Sequence, residues 1–244
     1  MEMTRTGRLL ILGIIFILFG IMNPAIAKLT PWLLEMMQDS IADSGMVITG
    51  TTVDAMTSWG KYYKNAPTAL LAMVLMSCGV LTNEYQRGTL VQVVTKGLSR
   101  RKIFISKTLM VFGSWTALFL AYFGITYAYT AYFWKDDKVE YLLFGTFAYW
   151  LFGIFVLAFL LMFSAIASSG GQVLMGTGII LLVTMFLNYI PKLQKFLPFR
   201  LMNGLQLSMG AMKTEDFTAA IITACVCSVA AIVTGLLLFD RKQL

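Results

Sequence analysis

Six stretches of this 244-residue chain are apolar for long enough to cross a bilayer, and polar or charged residues bound each one. They fall at about 9–27, 66–82, 103–134, 141–168, 172–190 and 217–239. A helix needs about 20 residues to span the hydrocarbon core. The runs are continuously apolar, without the alternation of a barrel strand, so helices that satisfy their backbone groups internally are expected. Trp32, Trp134, Tyr141 and Tyr189 lie near span ends, where amphipathic rings prefer the headgroup region. Pro24 reads as the end of the first span. The pattern predicts an all-α integral membrane protein of one domain, a six-transmembrane-helix bundle with outer loops at 28–65 and 191–216.

Composition agrees. Hydrophobic residues make up 58% of the chain and charged residues 13%, about half the charged share of an ordinary soluble domain. Cys78, Cys225 and Cys227 sit in apolar runs without metal-binding spacing and read as buried small hydrophobes.

Charge gives the orientation. With both termini cytoplasmic, ten Lys and Arg lie inside and nine outside. The count is nearly even, but the densest cluster lies in one short loop, 83–102, where the positive-inside rule acts most strongly. The expected location is a bacterial cell membrane, crossed several times. A second reading of the N-terminus exists, because Arg5, Arg8, an apolar run and Ala25-Ile26-Ala27 also resemble a secretory signal.

Several functions are disfavoured by what the spans lack. The chain has no histidine, and every Asp and Glu lies in a loop or at a span end. Proton-driven carriers place ionisable groups at mid-membrane, and sodium-driven ones often do, although backbone carbonyls can also hold sodium. Metal-dependent membrane enzymes need His or clustered carboxylates. A P-loop would need G-x-x-x-x-G-K-[ST], which is missing. Uphill transport would therefore draw its work from another subunit.

Six of the nineteen basic residues cluster between the second and third spans: Arg87, Lys96, Arg100, Arg101, Lys102 and Lys107. Asn83 can cap a short helix there, with Glu84 at its positive end and Gly97 ending it. Leu90, Val91, Val93 and Val94 would form its apolar surface, and Ser99 can cap the next helix. The product is a rigid elbow across the membrane face. Read from charge alone, the same loop is a solvated anchor with no partner.

The run Glu84-Tyr85-Gln86-Arg87-Gly88-Thr89, followed by Ser99-Arg100 and Lys107, resembles the ABC-2 type permeases of ABC transporters. Their six-span pattern also matches. The resemblance implies a coupling helix that docks on a separate P-loop ATPase subunit, carried here by Glu84, Arg87, Gly88, Thr89, Leu90, Gly97, Ser99 and Arg100. It further implies a second permease chain, identical or different, and no catalysis by this chain. ATP and Mg²⁺ would be held by the ATPase, with no cofactor bound here. The expected partners are those subunits and the lipid bilayer, with no nucleic acid.

Trp115, Phe119, Tyr122, Tyr129 and Phe133 share one face of the third span, and Phe152, Phe155, Phe159 and Phe163 one face of the fourth. Such faces pack between helices or guide an amphipathic substrate; Trp115, Phe119, Tyr122, Phe155 and Phe159 are the candidate path. Small residues at Ala117 and Ala121, or Ala220 and Ala224, would permit close helix contact. The segment 191–216 mixes Lys192, Lys195, Arg200 and Lys213 with large apolar residues. It suits a helix on the membrane surface, and it resembles the external re-entrant hairpin of that family, a candidate gate built on Lys192, Lys195 and Arg200.

Two other classes remain open from sequence. One is an ATP-independent carrier or channel; the other is a non-transporting membrane scaffold or immunity protein. A retained first span predicts that the intact mass of the purified protein includes residues 1–27. A mass beginning at Lys28 would make that segment a cleaved leader.

Overall fold

The computed structural model describes residues 7–36, 53–88, 97, 99–135 and 139–241. Among them the chain forms α1 (Arg8–Met36), α2 (Ala55–Ser77), α3 (Thr82–Gln86), α4 (Arg100–Phe133) and α5 (Leu142–Ile166). These are followed by α6 (Gly170–Leu187), α7 (Pro191–Gln194), a 3-10 turn (Pro198–Met202), α8 (Gly204–Ser208), a second 3-10 turn (Thr214–Phe217) and α9 (Thr218–Arg241). Six helical stretches are long and apolar enough to cross a membrane, one in each predicted span.

The first span does not stop at Pro24, because α1 runs on through Pro24 and Pro31 to Met36. A helical proline leaves the carbonyl four residues back without its amide partner. For Pro24 that carbonyl belongs to Gly20, and Thr126 Oγ1 of α4 donates to it at 3.1 Å. The approach is close at a bare Cα. A Cβ on Gly20 would stand 3.1 Å from the Ile125 side chain and 3.3 Å from the Tyr122 carbonyl.

A buried polar network surrounds this repair. Asn23 Nδ2 donates to Tyr122 Oη at 3.0 Å and to Thr126 Oγ1 at 3.3 Å. Asn65 Nδ2 donates to Asn23 Oδ1 at 2.8 Å, and Tyr122 Oη donates to the Tyr62 carbonyl at 2.8 Å. The Ser58 and Thr130 hydroxyls share a bond of 2.7 Å. Interhelical bonds within a membrane contribute about 0.6 kcal/mol each on average, so the set bolts α1, α2 and α4 into one layer. It also explains why α2 begins at Ala55, well before the predicted 66. Ser58, Tyr62 and Asn65 face helical neighbours instead of a loop, and Asp54 caps the helix by accepting from the Thr57 amide at 2.9 Å. The predicted outer loop 28–65 is thus helical at both ends.

The buried face of α4 runs Phe104, Thr108, Val111, Trp115, Phe119, Tyr122, Thr126 and Thr130, with spacings of three and four. Tyr129, assigned to this stripe from the sequence, is 42% exposed. Helix α5 occupies the centre of the bundle: 67% of its most apolar window is buried, against 17% for α6. Its Gly153 receives the Trp115 indole, which a Cβ would meet at 2.2 Å. Trp115 Nε1 donates to the Trp150 carbonyl at 3.1 Å. Of the predicted small-residue contacts, Ala220 and Ala224 are buried, whereas Ala117 and Ala121 face outward. Close approach is made instead at Gly153 and at Gly235, where a Cβ would lie 3.1 Å from Met162 Cα.

The spans alternate in direction, which gives the bundle two polar ends. Trp134 Nε1 donates to the Val53 carbonyl at 2.9 Å, and Lys28 Nζ lies 3.8 Å over the Phe133 ring, at one end. Residues around Glu84, Arg101, Ser168 and Asp240 meet at the other.

The proline repair predicts that Thr126→Val lowers stability by about 1–3 kcal/mol, the cost of a buried acceptor left unmet. Pro24→Ala restores an amide to Gly20, so the same substitution in that background should cost clearly less. Thermal unfolding in detergent of the four members of this cycle measures the difference; additive effects would show that the two residues are not coupled.

Candidate functional site around Glu84

Helix α2 ends at Ser77, and the chain turns through Cys78–Leu81 into α3. The turn tightens because Asn83 folds back over Gly79, where a Cβ would stand 2.4 Å from Asn83 Nδ2. Asn83 therefore sits inside α3 and does not cap it. Leu81 holds the cap position without a side-chain bond, and Thr82 Oγ1 donates to the Cys78 carbonyl at 3.3 Å.

Among the described residues the helix covers Thr82–Gln86. Arg87 is its C-cap residue, and Gly88 follows at φ +64°. That left-handed conformation favours glycine and closes a helix. The Gly88 amide donates to the Tyr85 carbonyl at 3.0 Å. Gly97 is also left-handed, at φ +88°. The candidate residues Thr89 and Leu90, with Val91, Val93 and Val94, lie outside the described residues. Ser99 occupies the N-cap position of α4 as expected, but its hydroxyl makes no capping bond; its carbonyl accepts from the Ile103 amide at 3.3 Å.

What holds α3 in place is an ion pair across 23 residues of sequence. Lys107 Nζ of α4 donates to Glu84 Oε1, and the two side chains are only 16% and 19% exposed. Breaking such a pair leaves a partly desolvated charge. The cost falls between the ~1.5–3 kcal/mol of a charge-assisted hydrogen bond and the ~3–5 kcal/mol of a fully buried pair. Two further contacts pin the element. Gln86 Nε2 donates to the Ser168 carbonyl at 3.1 Å. Tyr85 meets Phe239 edge-on, with centroids 6.2 Å apart, and Phe239 in turn meets Phe104 at 5.8 Å. Arg87 and Gly88 remain exposed. A Cβ at Gly88 would meet nothing within 4 Å, so a substitution there strains the turn without disturbing the core.

Arg100 and Arg101 do not simply project to solvent. Arg100 Nη1 donates to the Asp240 carbonyl at 3.3 Å, while Arg101 Nε and Nη2 both reach Asp240 Oδ2, at 3.0 and 2.7 Å. Asp240 and Ser168 carried no signal in the linear sequence, and Gln86 stood in the motif without an assigned role. Their partners stand more than 80 residues away.

The other candidates lie elsewhere. Trp115, Phe119, Tyr122 and Phe155 are enclosed by their own chain, and Phe159 packs on Phe155 at 5.0 Å. Their geometry here is helix-to-helix packing: Phe119 stacks on Tyr149 at 6.1 Å, and Tyr122 on Tyr62 at 4.5 Å. At the Trp134 end, 191–217 forms four short turns in place of one surface helix. They fold back on the bundle through the buried Leu201, Leu207 and Phe217. Lys192 and Lys195 are exposed. Arg200 is buried and pairs with Asp216 at 3.4 Å, and Asp216 also accepts from the Lys213 amide at 3.1 Å. Tyr63 joins this segment to the bundle, its ring edge against Gly204 and its hydroxyl against Gly145.

The Glu84–Lys107 geometry predicts that Glu84→Lys releases α3 through like-charge repulsion. The exchange Glu84→Lys/Lys107→Glu should recover most of the loss. Hydrogen exchange of the Tyr85–Gly88 amides measures both, and equal protection in the single variant and the parent would remove the clamp.

The whole chain, residues 1–244, matches the family model described as "ABC-2 family transporter protein". Neither a curated protein nor a solved structure matches it. Six apolar helices stand with that match, and the chain belongs to the ABC-2 family of transporter proteins.

Proposed function

We propose that this chain is the membrane-spanning subunit of an ATP-driven exporter and that α3 with its flanking turn is the coupling element. Two copies, or this chain and a sister permease, would form the translocation pathway. Two P-loop ATPase subunits would bind at the Glu84 end, which is then cytoplasmic, as are both termini. ATP and Mg²⁺ belong to those subunits, so this chain performs no bond chemistry.

The observation that carries the reading is the Glu84–Lys107 clamp. A docking element transmits force only if it cannot swivel on its stem. Here a short helix is tied to α4 by a charge pair, to α9 by Tyr85 on Phe239 and to the α5–α6 turn by Gln86. Gly88 is exposed, and a Cβ there would meet nothing within 4 Å, so a partner can approach the backbone at this turn. When nucleotide binding draws the ATPases together, displacement of this turn would move three spans at once. The carboxylates of the described helices lie in terminal turns, which disfavours proton coupling, since proton-driven carriers commonly place such groups at mid-membrane. At the Trp134 end, the folded-back segment with Arg200 and Asp216 is suited to gate release.

Co-expression with a P-loop ATPase subunit, sought first in the adjacent reading frame, should yield a complex that hydrolyses ATP in nanodiscs. Gly88→Trp should lower that hydrolysis at least tenfold while the permease still assembles in the membrane. Full hydrolysis with the variant, or no complex with any ATPase, would remove α3 as the coupling element.

A further inference from the structure

The last helix ends beside the first turn of α4, and the chemistry there is unusual. An Asp at a helix C-terminus opposes the helix dipole and is normally unfavourable. Asp240 occupies that position in α9, whose final residue is Arg241. Its carboxylate is held by Arg101 through two nitrogens, and its backbone carbonyl accepts from Arg100. Helix-end carbonyls lack intrahelical partners, so Arg100 meets a real need. The two arginines thus grip one residue by its side chain and its main chain, across 139 and 140 positions of sequence.

Directly beneath, Phe239 is 1% exposed and stands between Phe104 of α4 and Tyr85 of α3. One turn further in, Gly235 lets α9 approach Phe104 and the backbone of Met162. Polar grip, aromatic wedge and glycine contact lie in sequence along the end of α9. They join it to the same α4 segment whose Lys107 holds Glu84.

We propose that Asp240 is a positioning residue that locks the end of α9 to α4, so that α3, the start of α4 and α9 move as one rigid body. Displacement at α3 then reaches the last span directly, through Phe239 and the start of α4. This rests on the coupling role proposed for α3, but the joint itself can be tested without a partner.

Asp240→Asn and Arg101→Ala in the full-length chain in nanodiscs should raise hydrogen exchange at the Tyr85–Gly88 amides about two- to fivefold, the size expected for loss of a largely exposed charge pair. The exchange variant Arg101→Asp/Asp240→Arg should restore protection. Unchanged exchange in both single variants overturns the rigid joint. With the ATPase present, Asp240→Asn should bind it as the parent does yet lose most of the stimulated hydrolysis, and full stimulation would overturn the positioning role. A parent chain that binds no ATPase would instead remove the coupling reading, with the exchange data still deciding the joint.

Discussion

A hydroxyl aimed at one carbonyl makes the rest of the bundle possible. Pro24 would leave the Gly20 carbonyl unpaired in hydrocarbon, where no water can meet it. Thr126 closes that gap, and to do so α4 must lie against α1 at Gly20. Once the two helices are that close, Asn23, Tyr122, Asn65 and Tyr62 fall within bonding reach of one another. The register of three spans is therefore set by a proline and the threonine that answers it. Apolar packing alone would not choose a register, since lipid tails offer helices much the same dispersion contacts.

From this layer the architecture extends to two ends of different character. At the Glu84 end, charges are paired in fixed directions, and short side chains and glycines bring helix ends together. At the Trp134 end, 191–217 is a chain of short turns around the buried Arg200, with Lys192 and Lys195 in the open. The first arrangement suits an element that must carry load. The second consists of small pieces anchored on the bundle by Leu201, Leu207 and Phe217. Between them α5 is the most enclosed of the six spans.

The aromatic residues illustrate how periodicity constrains without assigning. Spacings of three and four place Trp115, Phe119 and Tyr122 on one face, and the structure buries that face against α1, α2 and α5. Whether such a face meets a helix or a pathway depends on what stands opposite, which no spacing contains. Tyr129 departs from the stripe because the polar network closes the interface with Thr126 and Thr130, small hydroxyls that draw the buried face away from it.

The linear chain by itself determined the number of spans and the helical class, because apolar run length needs no partner to be read. It also isolated Lys107 as part of the motif that begins at Glu84. Only the tertiary structure decided that Lys107 reaches Glu84, that Asn83 folds over Gly79 and not onto a helix end, and that α1 passes through Pro24. It alone brought Asp240 to Arg100 and Arg101. Each of these rests on a group whose partner is remote in sequence. A buried charge or an unpaired carbonyl states a need locally, but which side chain meets that need is settled by packing.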